Sequence, residues 1–242
     1  MASVIVLCLI YLNTNAQQLY VGVGGGMNTS YLRNSKIGFY DKNESRKWKY
    51  YLGGSAQTYI GVVPLKGNIS PVFEFQAAYL YRRFAQTNRG TILFDNPPDE
   101  VDAWTSWDKK SNDISFTFKA GLKYKGLIFL TGPVVEKFLK GAIHYQSGAA
   151  GFPTENHSYG IGNIYPDNLK LRTYWSFEIG YKMKLSKGFV MYPNIAYVLG
   201  IKPMNNIDTS AGWRSGYLNH FSLSINFEYW LTLKKKINET KK

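Results

Sequence analysis

Hydrophobic and polar residues alternate with a period of two over long stretches of this chain. The clearest is 217–231, YLNHFSLSINFEYWL. Tyr217, Phe221, Leu223, Ile225, Phe227, Tyr229 and Leu231 share one face. His220, Ser222, Ser224, Asn226 and Glu228 share the other, and only Leu218, Asn219 and Trp230 blur the division. A period of two predicts a strand. Strands of soluble proteins run about 5–6 residues, whereas one crossing a bilayer at a tilt needs about 9–11. This stretch is long enough to cross, and Tyr217 and Tyr229 suit the two lipid–water interfaces.

The same pattern recurs along the chain. Leu19, Val21 and Val23 begin a first strand, and Gly24, Gly25 and Gly26 predict a bulge or tight curvature in it. A second strand is expected over 50–63. In the third, Phe73, Phe75, Ala77, Tyr79 and Tyr81 oppose Glu74, Gln76, Ala78, Leu80 and Arg82. The fourth turns Ile114, Phe116, Phe118, Leu122 and Tyr124 outward, with Ser115, Thr117, Lys119 and Lys123 inward. The fifth, 127–145, is interrupted by Gly132 and Pro133, where a bulge or a shorter strand is expected. The sixth turns Trp175, Phe177, Ile179, Tyr181, Met183 and Leu185 outward and Glu178, Lys182 and Lys184 inward. The seventh covers 189–201, and 217–231 is the eighth.

Short turns at 64–68, 125–126 and 186–188 alternate with long polar loops at 34–49, 86–112, 146–171 and 202–216. The pattern predicts an all-β fold, an eight-stranded antiparallel transmembrane β-barrel with short periplasmic turns and long external loops. Both termini then lie in the periplasm of a bacterium, with the barrel in the outer membrane.

Composition sharpens this picture. Residues 2–12 are apolar or small and precede Asn13, Thr14, Asn15 and Ala16. This reads as a signal peptide over 1–16, although no Lys or Arg precedes the apolar run. The barrel then spans 17–233, and a basic periplasmic tail spans 234–242. Cys8, the one cysteine, falls in the signal segment. Val6 and Leu7 before it are too large for a lipid-attachment site, and the mature chain has no disulfide framework, thiolate metal site or cysteine nucleophile. The net charge of +13 remains on the mature chain. In this compartment it points to outer-membrane lipid and lipopolysaccharide phosphates or acidic proteins, not to nucleic acid.

Three stretches carry a family resemblance: 61–81 (GVVPLKGNISPVFEFQAAYLY), 129–135 (FLTGPVV) and 179–189 (IGYKMKLSKGF). They resemble the small outer-membrane β-barrels of Bacteroidota called the PorT family. The resemblance implies the barrel fold and a link to type IX protein secretion, with other envelope or secretion proteins as partners.

The inward positions collect Glu74, Arg82, Lys119, Lys123, Glu178, Lys182, His220 and Glu228. An eight-stranded barrel is just wide enough for side chains to fill. Buried unpaired charge is costly, so these groups are expected to form an ion-pair plug rather than a pore. The histidines are His144, His157 and His220. A hydrolase needs a base beside a nucleophile, for example His157 with Ser158 or Ser147, but no spacing demands it. No catalytic residue, metal site or cofactor is assigned. Trp104 and Trp107, beside acidic Asp99, Glu100 and Asp102, form a candidate partner contact in the second long loop. Basic residues of the first loop, Arg33 to Lys49, suit lipopolysaccharide phosphates. The sequence therefore predicts a non-enzymatic outer-membrane barrel, an accessory or structural subunit of an envelope machine such as type IX secretion. The alternatives are a stand-alone surface barrel contacting lipopolysaccharide or acting in adhesion, a narrow pore, and a barrel hydrolase.

Overall fold

A computed structural model describes residues 18–33, 42–64, 67–95, 98–160, 171–201 and 217–232. The expected signal segment, the loop 202–216 and the basic tail lie outside the described residues.

The described strands are β1 (Gln18–Arg33), β2 (Lys42–Tyr50), β3 (Gly53–Val63), β4 (Ile69–Asp95), β5 (Pro98–Tyr124), β6 (Leu127–Ala149), β7 (Glu155–Gly160), β8 (Arg172–Tyr181), β9 (Met183–Lys184), β10 (Phe189–Gly200) and β11 (Tyr217–Thr232). Eight of them close a ring in the order β1-β3-β4-β5-β6-β8-β10-β11, antiparallel throughout. The ring closes where β1 meets β11, in unbroken register from Gln18 opposite Thr232 to Arg33 opposite Tyr217. Closure removes every sheet edge inside the membrane, where no water could satisfy one.

The sides of the wall are inverted relative to a soluble protein. Phe75, Phe116, Phe118, Phe129, Ile179 and Phe227 are among the apolar side chains exposed outward, while Glu74, Arg82, Lys119 and Glu228 are buried inside. Tyr124, Tyr181 and Tyr229 stand outward near the short turns, and Tyr79 and Tyr81 stand outward toward the other end. An apolar belt between two aromatic girdles is the exterior of a membrane-spanning barrel. On β4 the belt stops after Tyr81, since Arg83 next faces outward and pairs with Asp108.

Three of the expected loops are partly strand. The β4–β5 ladder runs without interruption to Asp95 opposite Pro98, so 86–112 is a long hairpin rather than a loop. Residues 42–49, expected in the first loop, form β2 together with Tyr50 and pair with the upper part of β4. Residues 155–160 fold back on β6 as β7. Sequence alternation missed these extensions because beyond the lipid both faces of a strand meet water or polar partners, and the apolar face disappears.

Two expected irregularities move. β1 pairs through Gly24, Gly25 and Gly26 without a register shift on either side, so there is no bulge there. The glycines instead admit the neighbouring strands: a Cβ on Gly26 would lie 2.2 Å from the Leu223 carbonyl oxygen. β6 runs through Pro133 as one strand. The β5–β6 register shifts instead between Asn112 and Asp113, opposite Lys140 and Phe138. Pro133 is tolerated because the β5–β6 pairing lapses opposite Gly132 and Pro133.

Candidate functional site: a lumen closed by two buried networks

Residues of period two that face inward on neighbouring strands stack into layers across a narrow barrel. Near the short turns, β4 supplies Glu74, β5 Lys119, β8 Glu178 and β11 Glu228, and Lys182 follows β8. Lys119 Nζ lies 2.5 Å from Glu178 Oε2 and 3.3 Å from Glu74 Oε1. Lys182 Nζ lies 2.8 Å from Glu228 Oε1. Three tyrosines complete the layer. Tyr20 donates to Glu74 at 3.1 Å, Tyr59 to Glu228 at 2.9 Å and Tyr192 to Glu178 at 2.8 Å. Trp230 Nε1 donates to Glu228 at 2.6 Å, and its ring stacks on Tyr20. Each carboxylate thus has a cation and a hydroxyl donor, which is what makes its burial tolerable.

Toward the other end lies a second layer. Arg82 grips Glu136 with two hydrogen bonds of 2.8 and 2.5 Å and donates to Asp113 at 3.3 Å. All three side chains are fully buried. Ser111 donates to Asp113, Arg172 approaches Asp113 at 3.8 Å, and His220 lies 3.4 Å from the Arg82 guanidinium. Apolar side chains including Phe84, Phe138, Ile143, Tyr174 and Leu218 pack against one another as an apolar cluster. Arg172 lies over the Phe138 ring and Lys109 over the Phe84 ring. Between the layers is a cavity of about 50 Å³ lined by Gln57, Gln76, Ser115, Thr117, Ser176 and Ser224, among others. That is room for a few water molecules with polar partners.

The eight lumen residues expected from sequence divide between these layers, with one exception. Glu74, Lys119, Glu178, Lys182 and Glu228 join the first, and Arg82 and His220 the second. Lys123 is only half-buried and lies at the short-turn mouth, 4.6 Å from the Trp230 ring centre. Sequence reasoning missed Glu136 and Asp113, the partners of Arg82. Glu136 sits in the strand whose alternation Gly132 and Pro133 obscure, and Asp113 adjoins a segment whose polarity reads as loop. Its signal was there: Ser111, Asp113 and Ser115 continue the inward row of Thr117 and Lys119. The tyrosine donors were also missed, because an inward tyrosine looks like an outward one in an alternation count.

His157 does not face Ser158; neighbours along a strand point to opposite sides. His157 stacks on Tyr145 and lies 3.7 Å from Glu155. Ser158 instead pairs with His144, whose Nδ1 is 2.7 Å from the Ser158 hydroxyl oxygen. Asp108 is opposite His144 on the next strand, but its carboxylate is held by Arg83 at 3.1 and 2.5 Å. The His144–Ser158 pair is exposed to solvent. A fluorophosphonate probe is expected to label the purified protein no more than a Ser158→Ala variant; labelling lost in that variant would reveal an activated serine.

Trp104 lies half-buried beside Tyr145 and Phe152 in a surface cleft of about 390 Å³ above the membrane. Trp107 sits in β5 opposite Gln86 and Tyr145, and its side chain is outside the described part. Among the described residues no group of three or more His, Cys, Asp or Glu is placed to hold a metal ion.

No family profile matches the chain, so the PorT resemblance rests on its sequence stretches alone. No curated protein matches it either. Among solved structures it is similar to OprG from Pseudomonas aeruginosa, at 10% identity over 91% of this chain and 99% of that one, TM-score 0.40. Ail of Yersinia pestis, solved with the heparin analogue sucrose octasulfate, is 10% identical over 88% and 98%, TM-score 0.34. Neisserial surface protein A is 8% identical over 87% and 96%, TM-score 0.37.

Proposed function

We propose that this protein is a non-enzymatic, non-conducting barrel of the outer membrane that serves as a structural or accessory subunit of an envelope machine. Its short turns and both termini face the periplasm. The observation that carries the reading is a contrast within one chain. The lumen is closed by two buried networks, yet β2, β4, β5, β6 and β7 continue as a paired sheet well past the apolar belt. Strand that neither crosses lipid nor lines a passage is surface, and surface built this rigidly is suited to contact. Trp104, with Tyr145 and Phe152, supplies the aromatic patch that a protein contact favours. Type IX secretion is the machine that the sequence resemblance brings forward.

A second reading has its own support. The outer strand β2 carries Lys42, Arg46, Lys47 and Lys49, and Lys47 and Lys49 are exposed. Lysines there suit lipopolysaccharide phosphates, and they also deter unwanted strand pairing at an edge.

Two measurements test the proposal. In planar bilayers the purified barrel is expected to show no steady ion conductance; stepwise openings would make it a pore. Mild-detergent extraction at native abundance is expected to recover other envelope proteins in stoichiometric amounts. Recovery of the barrel alone, with lipopolysaccharide attached, would favour the stand-alone surface reading.

A further inference from the structure

The short-turn mouth of the barrel holds a cavity of about 620 Å³ whose lining includes Lys123, Lys125, Lys182, Lys184 and Lys187 and no Asp or Glu. Glu228, which touches the lining residues Trp230 and Lys182, accepts from Tyr59 and Trp230 and pairs with Lys182. With Lys182 held by Glu228, the other four ammonium groups surround one space without a lining counter-charge among the described residues. Like charges gathered this way raise the local potential and attract an anion. The cavity has a second character. Tyr229 and Leu231 also line it, and both point outward on the apolar belt. Its lining therefore runs from the charged mouth to apolar residues that face outward.

We propose that this mouth binds the phosphate headgroup of an anionic phospholipid, with the acyl chains against Tyr229 and Leu231. The volume admits a phosphodiester headgroup, and the amines around it suit one carrying net negative charge. A zwitterionic headgroup gains little, since its own ammonium meets the lysines. Trp230 gives the site a rigid floor: its ring carries Lys123 and Lys182 at 4.6 and 4.7 Å, and its indole nitrogen is fixed on Glu228. The orientation proposed above decides only which leaflet supplies the lipid. The chemistry of the site does not depend on it.

Native mass spectrometry of the full chain in detergent, with cardiolipin or phosphatidylcholine added, reads the binding directly. The wild type is expected to retain cardiolipin at least about tenfold better than phosphatidylcholine, and Lys123→Gln/Lys184→Gln/Lys187→Gln to lose about tenfold or more of that retention. Lys182 is left in place because it holds Glu228. Heat-modifiable gel migration reports folding; should the triple variant misfold, Lys184→Gln/Lys187→Gln changes exposed residues only and is expected to lose several-fold. Equal retention of the two lipids, or an unchanged preference in the folded variants, would overturn the proposal. So would displacement of cardiolipin by an equal concentration of inositol hexakisphosphate, which would make the mouth a soluble-polyanion site. Labelling of a cysteine introduced at Lys187 in whole cells, before and after outer-membrane permeabilisation, tests the orientation separately.

Discussion

Replacing Arg82 with methionine is expected to destabilise the barrel by about 3–5 kcal/mol, the usual cost of removing one partner from a buried ion pair. The guanidinium is fully buried and neutralises two carboxylates that are equally buried. Glu136 loses both its hydrogen bonds from Arg82. Asp113 loses one and keeps Ser111 as a donor and Arg172 at 3.8 Å. Most of the cost therefore falls on Glu136, and a second substitution can show it. Arg82→Met/Glu136→Gln removes the stranded charge together with the cation, and is expected to recover more than half of the loss. Urea unfolding in lipid vesicles, followed by tryptophan fluorescence, gives both values. A double variant as unstable as the single would assign the cost to packing. A loss below about 1 kcal/mol for the single variant would mean that water reaches this layer and screens it.

The second large effect comes from two of the smallest residues. In the β1–β3 pair, Tyr20 is opposite Gly61 and Gly22 is opposite Tyr59. Each ring lies over the facing glycine. A Cβ on Gly61 would lie 2.1 Å from Tyr20 Cζ, and one on Gly22 would lie 2.2 Å from Tyr59 Cζ. Gly61→Ala must push the Tyr20 ring off its seat, and with it the hydroxyl that donates to Glu74. Gly22→Ala does the same to Tyr59 and Glu228. Overpacking and a lost buried hydrogen bond together predict a loss of about 2–4 kcal/mol for each. Gly54 is the control. It lies in the same strand as Gly61, and a Cβ there meets nothing within 4 Å. Gly54→Ala is expected to stay within about 0.5 kcal/mol of wild type. Equal losses at Gly54 and Gly61 would show that strand entropy, not the ring contact, governs both.

How much of this was readable from the residues follows from where each residue sits relative to the lipid. Inside the belt, lipid on one side and a filled lumen on the other impose opposite chemistry on alternate positions, so strands such as 73–82 and 217–231 appear directly in the sequence. Beyond the belt that constraint lapses. Thr87, Asn88 and Thr105 sit in a ladder as regular as that of Phe75 and Phe118, yet nothing in their polarity distinguishes them from loop. Glu136 and Asp113 were hidden, but most of the other inward charges were legible because a charged residue in an apolar alternation stands out. Their pairing was not. Arg82 meets Glu136 across 54 positions of chain, on strands that are not neighbours in the ring. Such contacts depend on strand tilt and shear, which alternation alone does not report. The tyrosine–glycine seats depend on the β1–β3 register, set by three-dimensional pairing across an intervening segment. The His144–Ser158 contact likewise needed β7 to fold back on β6.

The seam between β1 and β11 bears on how the molecule comes into being. Every other joint in the ring links strands that are next to one another along the chain, apart from the short returns of β2, β7 and β9, so each can zip as soon as its two partners exist. The seam joins Gln18 to Thr232 and cannot form until the whole chain has been delivered. The loop it closes is the longest in the protein, though loop entropy rises only with the logarithm of length, so the obstacle is one of timing more than of free energy. Until that moment the growing sheet has two open borders of unpaired amides and carbonyls. A chain stopped before Tyr217 is therefore not a smaller barrel but an unfinished sheet, ready to borrow a strand from another molecule.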